Sequence, residues 1–284
     1  MTRVCVIGSV NSDMTFTVDA LPQPGQTVLA TALTSAPGGK GANQAVAAAR
    51  AGARVQFVGA VGSDAAGEAL LSHLRANGVG TDATISVPGP SGTAGIVVDG
   101  DAENTIVVAP GANAHLVIDS AAMRDVISAS DVALLQLEIP LPTAVAAARI
   151  ARGAGATVIV NASPPNTSPK TGELANLADV VVVNQSEAEE WHWPVPHLVI
   201  TRGARGALYR RDGNEAPIAA PAVEPVDTTG AGDVFAGVLS ASWSADPHQA
   251  LRRACAAGAL ATLVPGAGDC APTDEAIDDV LRDM

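Results

Sequence analysis

The sequence predicts an α/β fold, with a mostly parallel central sheet and helices on both of its faces. Three observations carry that expectation. Short apolar runs alternate with helix-compatible stretches, glycine-rich turns stand where apolar runs give way to helices, and no repeat of fixed period is visible. Chains of this pattern fold as parallel strands joined through crossover helices.

Taken in order, Arg3–Ile7 is a clean apolar strand. Residues 40–51 are Ala-rich and helical, 55–59 read as a strand and 64–77 as a helix. Residues 132–136, 158–160, 180–183 and 198–201 are further short apolar runs, with 141–152 an amphipathic or buried helix among them. Two stretches break the rhythm. Residues 14–34 alternate around Pro22-Gln23-Pro24-Gly25, and 93–109 hold two runs, 94–98 and 105–108, joined by Asp99-Gly100-Asp101. Both read as hairpins set between α/β units. The expected organisation is a single domain over 1–284, with strands inserted at about 14–35 and 93–109.

Composition narrows the function. The 284 residues can bury a substantial core, and with 48% hydrophobic and 16% charged residues the chain is not of a disordered class. Aromatics are only 2%, so Ala, Val, Leu and Ile must build the interior. A formal net charge of −13 disfavours nucleic acid and anionic membrane as partners. A phosphorylated ligand must therefore be held by local amides and a few cations. Cys5, Cys255 and Cys270 are odd in number and lack CxxC spacing, which fits a reducing cytoplasm rather than a disulfide framework or zinc site. No apolar run is long enough to span a bilayer. The first strand begins by Arg3 or Val4, so a signal peptide is not expected.

The most informative stretch is 226–237, VDTTGAGDVFAG, where polar and glycine residues pass into an apolar helical run. Gly230 and Gly232 let the backbone turn tightly and approach a ligand closely. Amides at a helix start point outward with the positive end of the dipole, which makes Gly230-Ala231-Gly232 an anion site. Asp233 lies within it. A carboxylate cannot bind phosphate there, but it can take a proton from whatever attacks the phosphate, as in a kinase acting on an alcohol. The plainer reading is a glycine-containing helix cap with Asp233 complementing the dipole. A second motif decides between them. Residues 36–47, APGGKGANQAVA, open another helix and carry a lysine and two amides at its mouth. Asn11 and Asp13, in GSVNSD at 8–13, are expected just past the end of the first strand, where open α/β sheets bind ligands.

With QLE at 136–138, NQSEAE at 184–189 and TRGARG at 201–206, six motifs stand in register, and the chain resembles the ribokinase family of sugar kinases over essentially its whole length. The resemblance implies ATP-dependent phosphorylation of a pentose, D-ribose at its 5-hydroxyl. The Gly-Gly-Lys-Gly-Ala-Asn form at 38–43 points to ribose rather than fructose phosphate or a nucleoside. It implies that the two hairpins form a small β-sheet lid over the sugar, and that such lids pair in a homodimer. The alternatives are a kinase for another sugar or a nucleoside, and a catalytically silent sugar-binding protein of the same fold. Asp233 and the intact Gly-Ala-Gly argue against the silent protein. No G-x-G-x-x-G follows the first strand, which disfavours a dinucleotide-dependent oxidoreductase.

By resemblance, Asn11 and Asp13 bind sugar hydroxyls; their alternative is turn-forming after a strand. Gly38, Gly39, Gly41 and Asn43 serve the other hydroxyls. Lys40 is the nearest cation to the transferring phosphate or sugar, or else a solvated helix-start lysine. Glu138 belongs at the sugar–phosphate junction, since a carboxylate after so apolar a run is costly unless used or paired. Asn184 and Glu187 fall near the ATP phosphates and hydrated Mg2+. Thr201, Arg202, Gly203, Ala204, Arg205 and Gly206 form the loop along the nucleotide, with both arginines open to reading as surface charge. Gly232 serves nucleotide and anion hole alike. Asp227 and Thr229, with backbone oxygens of Ala261, Val264 and Gly266, resemble ligands of an activating K+. Cys270 stands where a serine oxygen is common, and a thiol is a poor ligand for a hard cation. Only 13 residues separate Glu187 from Thr201, so one helix usual in the family is expected to be missing. Trp191-His192-Trp193-Pro194 then makes a packed turn, or a nucleotide contact.

Overall fold

The computed structural model describes residues 1–100, 103–243 and 246–283. Asp101, in the turn expected at 99–101, and the last residue of the expected 1–284 domain lie outside the described residues. In chain order come β1 (Arg3–Ile7), β2 (Asn11–Thr17), β3 (Ala32–Gly38), α1 (Lys40–Arg50), β4 (Arg54–Val58), β5 (Ala60–Gly62), α2 (Ala65–Ala76), β6 (Ile85–Val87), β7 (Gly92–Val98) and β8 (Asn104–Ala109). Then follow α3 (Ala121–Ser128), β9 (Val132–Leu135), α4 (Leu141–Gly153), β10 (Thr157–Asn161), α5 (Pro169–Ala175), β11 (Val180–Asn184), α6 (Gln185–Glu190) and β12 (His197–Thr201). The chain ends with β13 (Ala207–Arg211), β14 (Asn214–Ile218), α7 (Ala231–Ser242), α8 (Pro247–Ala261) and α9 (Asp274–Arg282).

Eight strands form the central sheet in the order β14-β13-β12-β11-β10-β9-β1-β4. The six from β12 to β4 are parallel, and β13–β14 adds an antiparallel hairpin at one edge. Alternate residues of β1 face opposite cores: Val4 and Val6 pack with α1, α2, α7 and α8, while Cys5 and Ile7 pack with α3, α4 and α5. Burial on both faces is why these strands read as unbroken apolar runs. Because β1 lies between β4 and β9, the strand order reverses there. The crevice beyond the carboxyl ends of β1 and β9 is the place where open α/β sheets receive ligands.

The scarcity of aromatics is met by close helix packing. Ala47, Ala51, Val234, Val238, Ala256 and Ala257 fill a third cluster between α1, α7 and α8. A Cβ added at Gly237 would stand 2.5 Å from the carbonyl oxygen of Gln44, so that glycine permits α7 to lie directly on α1. The approach has a consequence at the site, because Asp233 is one turn back along α7.

The two expected hairpins join into one four-stranded sheet, in the order β3-β2-β7-β8, with β2 and β7 parallel at its centre. It is longer than expected. β2 already begins at Asn11 and β3 runs on to Gly38, because Asn11 pairs with Gly38 on one side and Gly92 on the other. Asn11 and Asp13 are thus residues of a strand of the small sheet, which removes the alternative of turn-formers after β1. The edge hairpin β13–β14 and the short β5–β6 pair went unrecognised in the sequence, where charges and Pro217 mask the alternation. The missing helix is as expected: α6 ends at Glu190 and β12 starts at His197. Trp191 meets Trp193 edge-on at 5.1 Å and donates its indole N–H to the Trp193 carbonyl at 2.9 Å, a packed turn.

Candidate active site

The glycine-rich turn of 226–237 does open a helix. Gly230 caps α7 in the left-handed region at φ 78°, and a Cβ there would also stand 2.8 Å from Cα of Ala267. Any other residue would be strained and would push the neighbouring loop away. At Gly232, by contrast, an added Cβ meets nothing within 4 Å. The space over the first turn of α7 is open, and an anion could fill it. Not all the expected amides are equivalent. That of Ala231 donates to the Thr228 carbonyl at 3.3 Å, whereas those of Gly232 and Asp233 lie in the first turn, where a helix has no carbonyls to offer them.

Asp233 is buried at the floor of this space, and the cleft is lined by Lys40, Asn161, Ser163, Asn184, Glu187, Thr201, Gly230 and Gly232 as well. Asn43 donates its amide to Asp233 Oδ2 at 3.1 Å. Burial pulls the Lys40 ammonium down, but Asp233, Glu138 and Glu187 outweigh it and hold its pKa above the ordinary value. Lys40 is therefore a cation set among three carboxylates, not a solvated helix-start lysine.

On the lid side, Asn11 is buried and its Oδ1 accepts from Asn113 at 2.8 Å. Its own Nδ2 is thereby left to donate elsewhere. Asp13 Oδ1 is buried without a partner among the described residues. Burial, then the charges of Glu138 and Asp233, push the Asp13 carboxyl up to about 7. A Cβ at Gly38 would stand 1.9 Å from an Asp13 oxygen, so that glycine leaves room for the carboxylate. Glu138 comes three residues after β9 ends at Leu135, and its Oε2 is occupied: Ser9 Oγ donates to it at 2.6 Å and the Lys40 backbone N–H at 3.4 Å. It complements the start of α1.

At the opposite end, Asn184 and Glu187 form a capping box at α6, with Glu187 N–H to Asn184 Oδ1 at 2.8 Å and Asn184 N–H to Glu187 Oε2 at 2.7 Å. Both still line the cleft. The Thr201 hydroxyl donates to the Val183 carbonyl at 3.3 Å, and Gly203, Ala204 and Arg205 make a short 3-10 turn ending at Gly206. Arg205 is exposed and pairs with Gln185 at 2.7 Å. Arg202 turns Nη2 onto the Ala207 carbonyl at 3.2 Å. The structure brings neither guanidinium among the cleft-lining residues.

Asp227 joins two loops. Its Oδ1 accepts from Thr229 N–H and its Oδ2 from Gly266 N–H, both at 2.8 Å. Burial opposes the charge, but these amides prevail and hold the carboxyl below its usual range. The Ala261 carbonyl accepts from Val264 N–H at 3.2 Å, within the tail of α8. Cys270 places its thiol 3.4 Å from the Ala267 carbonyl and 3.9 Å from that of Thr229, and burial pushes it up to about 11. The position expected for a serine oxygen does face the Asp227–Thr229 loop, and it carries a neutral thiol. Residues absent from the expected set are Ser9, Gln44, Asn113, Gln136, Asn161 and Ser163. A polar residue closing an apolar strand, as at Asn161 and Gln136, is the signal that was available.

A doubly wound sheet, a small second sheet, and a glycine-capped helix start beside a buried carboxylate are the arrangement of a sugar phosphotransferase. The chain belongs to the pfkB family of carbohydrate kinases, which residues 1–274 match. It is 38% identical to the ribokinase of Bacillus subtilis (strain 168), over 99% of this chain and 100% of that protein. Its fold is similar to that of Arabidopsis thaliana ribokinase complexed with ribose and ATP, with a TM-score of 0.91 at 28% identity over 99% of each chain. It is also similar to Cryptococcus neoformans ribokinase in complex with ADP, with a TM-score of 0.86 at 30% identity over 99% of this chain and 100% of that one. The expected fold, with its mostly parallel sheet and smaller second sheet, and the expected activity class, an ATP:sugar phosphotransferase, are both borne out.

Proposed function

We propose that the protein phosphorylates a pentose with ATP, D-ribose at its 5-hydroxyl, and that Asp233 is the general base. The observation that carries this reading is the open space over Gly232, bounded by first-turn amides of α7, by Lys40 and by a buried Asp233. Asn11, Asp13, Gly38, Gly39, Gly41, Asn43 and Glu138 hold the sugar on the lid side; Lys40 spans sugar and phosphate. With the sugar's vicinal hydroxyls fixed by Asn11 and Asp13, its terminal hydroxyl faces Asp233, which accepts the proton as the oxygen bonds to the γ-phosphorus and the bond from that phosphorus to ADP breaks. The amides of Gly232 and Asp233, and less directly those of Gly230 and Ala231, stabilise the charge that develops. The ribokinase relatives support the choice of ribose and ATP.

The nucleotide runs from the anion turn toward Asn184, Glu187 and the 201–206 loop. Glu187, with one oxygen spent on the cap, suits an outer contact to hydrated Mg2+, which when bound neutralises the phosphates. The loops around Asp227, Thr229, Ala261, Val264 and Gly266 fit a monovalent cation, since Asp227 already draws two of them together. K+ bound there would supply positive potential and fix the loop. Exposed Leu33, Ile106, Val107 and Val108 on β3 and β8 support pairing of two lids in a homodimer. No described helix is long and apolar enough to cross a membrane, and three free cysteines suit the cytoplasm. The test is ADP release with Mg-ATP against ribose, deoxyribose, other pentoses, hexoses and nucleosides. The highest kcat/KM should fall on ribose. A nucleoside or hexose ahead of ribose would overturn the assignment.

A further inference from the structure

Asp233 does not stand alone in its helix. Gln44 Nε2 donates to Asp233 Oδ1 at 2.9 Å, while Asn43 holds Oδ2. Two neighbouring residues of α1 thus tie the two oxygens of one carboxylate on α7. The terminal torsion of a carboxylate is otherwise broad. Tied at both oxygens, it keeps one orientation toward the cleft.

Gln44 is itself fixed. Its second Nε2 proton goes to Asn161 Oδ1 at 3.0 Å, and its Oε1 accepts from Gln136 Nε2 at 2.6 Å. Asn161 donates onward to the Val182 carbonyl at 3.2 Å. The row therefore connects the ends of β9, β10 and α1 to the carboxylate on α7. Its polarity follows from Asp233. An ionised carboxylate only accepts, so Gln44 must present nitrogen to it, and its oxygen must then face Gln136. Gln136 Oε1 is left buried without a partner among the described residues, against the backbone of Gly8.

Gln44 and Gln136 are wholly buried and Asn161 nearly so. Helices and strands of this apolar character need no amide row to pack, and buried polar groups are costly unless satisfied. The fold even yields space for the contact, since Gly237 lets α7 settle onto the Gln44 backbone one turn beyond Asp233.

We infer that Gln44, backed by Gln136 and Asn161, is a positioning residue that fixes the Asp233 carboxylate for proton abstraction. The inference rests on the reading of Asp233 as the base, and the experiment separates the two. The measurement is kcat and KM for ribose and Mg-ATP in Gln44→Met, Asp233→Asn and the double variant, each assayed well below its own Tm. Met keeps the length of the side chain and removes its donors. In Gln44→Met, kcat is expected to fall about tenfold to a hundredfold with either KM changed less than about threefold, as a misplaced catalytic group requires. In the Asp233→Asn background, where no carboxylate remains to orient, the same change should cost less than about threefold in residual rate. Equal losses in both backgrounds would make Gln44 merely structural, and a wild-type kcat in Gln44→Met would remove it altogether. A near wild-type kcat in Asp233→Asn would overturn the base itself. Should Gln44→Met not fold, Gln44→Glu keeps the acceptor for Gln136 and sets a second carboxylate against Asp233. Its kcat should fall at least as far, and an undiminished kcat would overturn the inference.

Discussion

Asp13 on β2 and Asp233 on α7 are two carboxylates near enough for the charge of the second to raise the pKa of the first, and the fold treats them differently. Asp233 is buried with each oxygen accepting from an amide of α1. Asp13 is half-buried, its inner Oδ1 has no partner among the described residues, and its carboxyl is pushed up to about 7. The first is fixed before any ligand arrives. The second keeps hydrogen-bonding capacity that the described residues leave free for a ligand, which is how a recognition group behaves. The difference predicts that changes at Asp233 should appear in turnover and changes at Asp13 in binding.

The sharpest way to break the comparison is Asp233→Asn. The amide keeps the shape but cannot accept a proton, so kcat should fall on the order of 10²-fold or more while sugar and nucleotide still bind. Retained binding is checked by ligand-induced shifts in Tm. Asp13→Ala comes next. Losing a hydrogen bond to a charged group is worth roughly 1.5–3 kcal/mol, so the ribose KM should rise about tenfold to a hundredfold with the ATP KM nearly unchanged. If kcat fell instead, or the two KM values rose together, the division of labour would be wrong.

A pH titration sharpens the same contrast. A carboxylate is the form that accepts from sugar hydroxyls, so binding below about pH 7 requires Asp13 to lose a proton first. The ribose KM should rise roughly tenfold between pH 8 and pH 6, since the competent fraction falls by that factor. The sign for stability is opposite. Asp13 has a folded pKa above its unfolded one, so its contribution is fullest below the unfolded value and is lost as pH rises through about 7. Ribose should therefore raise Tm more at pH 8 than at pH 5.5. In Asp13→Asn both trends should flatten.

The sequence discloses the two carboxylates unequally for a physical reason. Asp233 announces itself because the glycines that open its helix are its chain neighbours. Asp13 is assigned to the sugar only by resemblance, with turn-forming as its alternative, since its place in β2 depends on pairing with β3 and β7, which are distant in sequence. Parallel strands buried on both faces, such as β9 and β11, were legible as apolar runs. The β13–β14 hairpin was not, because Arg210, Arg211, Glu215 and Pro217 on a sheet edge obey solvent rather than core patterning. Gln44 is one of the two amides read at the mouth of its motif, but its role depends on how closely α7 approaches α1, which no local pattern encodes.

The smallest effect is expected at the Asp227 loop, which leads into the first turn of α7. Asp227 joins the 229 and 266 amides, and an ion held beside it would act through the geometry of the Gly230–Asp233 turn rather than by touching substrate. Potassium should therefore raise kcat with little change in either KM. The gain should stay under about tenfold, or roughly 1.4 kcal/mol of barrier. In the proposed cation site, Cys270 would set the ion affinity. Its neutral thiol lies near the Thr229 and Ala267 carbonyls, where a hydroxyl oxygen would be a harder donor. Cys270→Ser should lower the potassium concentration for half-maximal activation and leave the maximal rate nearly unaltered. Initial rates at saturating ribose and Mg-ATP, with potassium titrated against tetramethylammonium at equal ionic strength, measure both quantities. Identical rates in the two salts would end the role of the cation. Activation that Cys270→Ser does not shift would keep the ion and remove the side chain from its ligands.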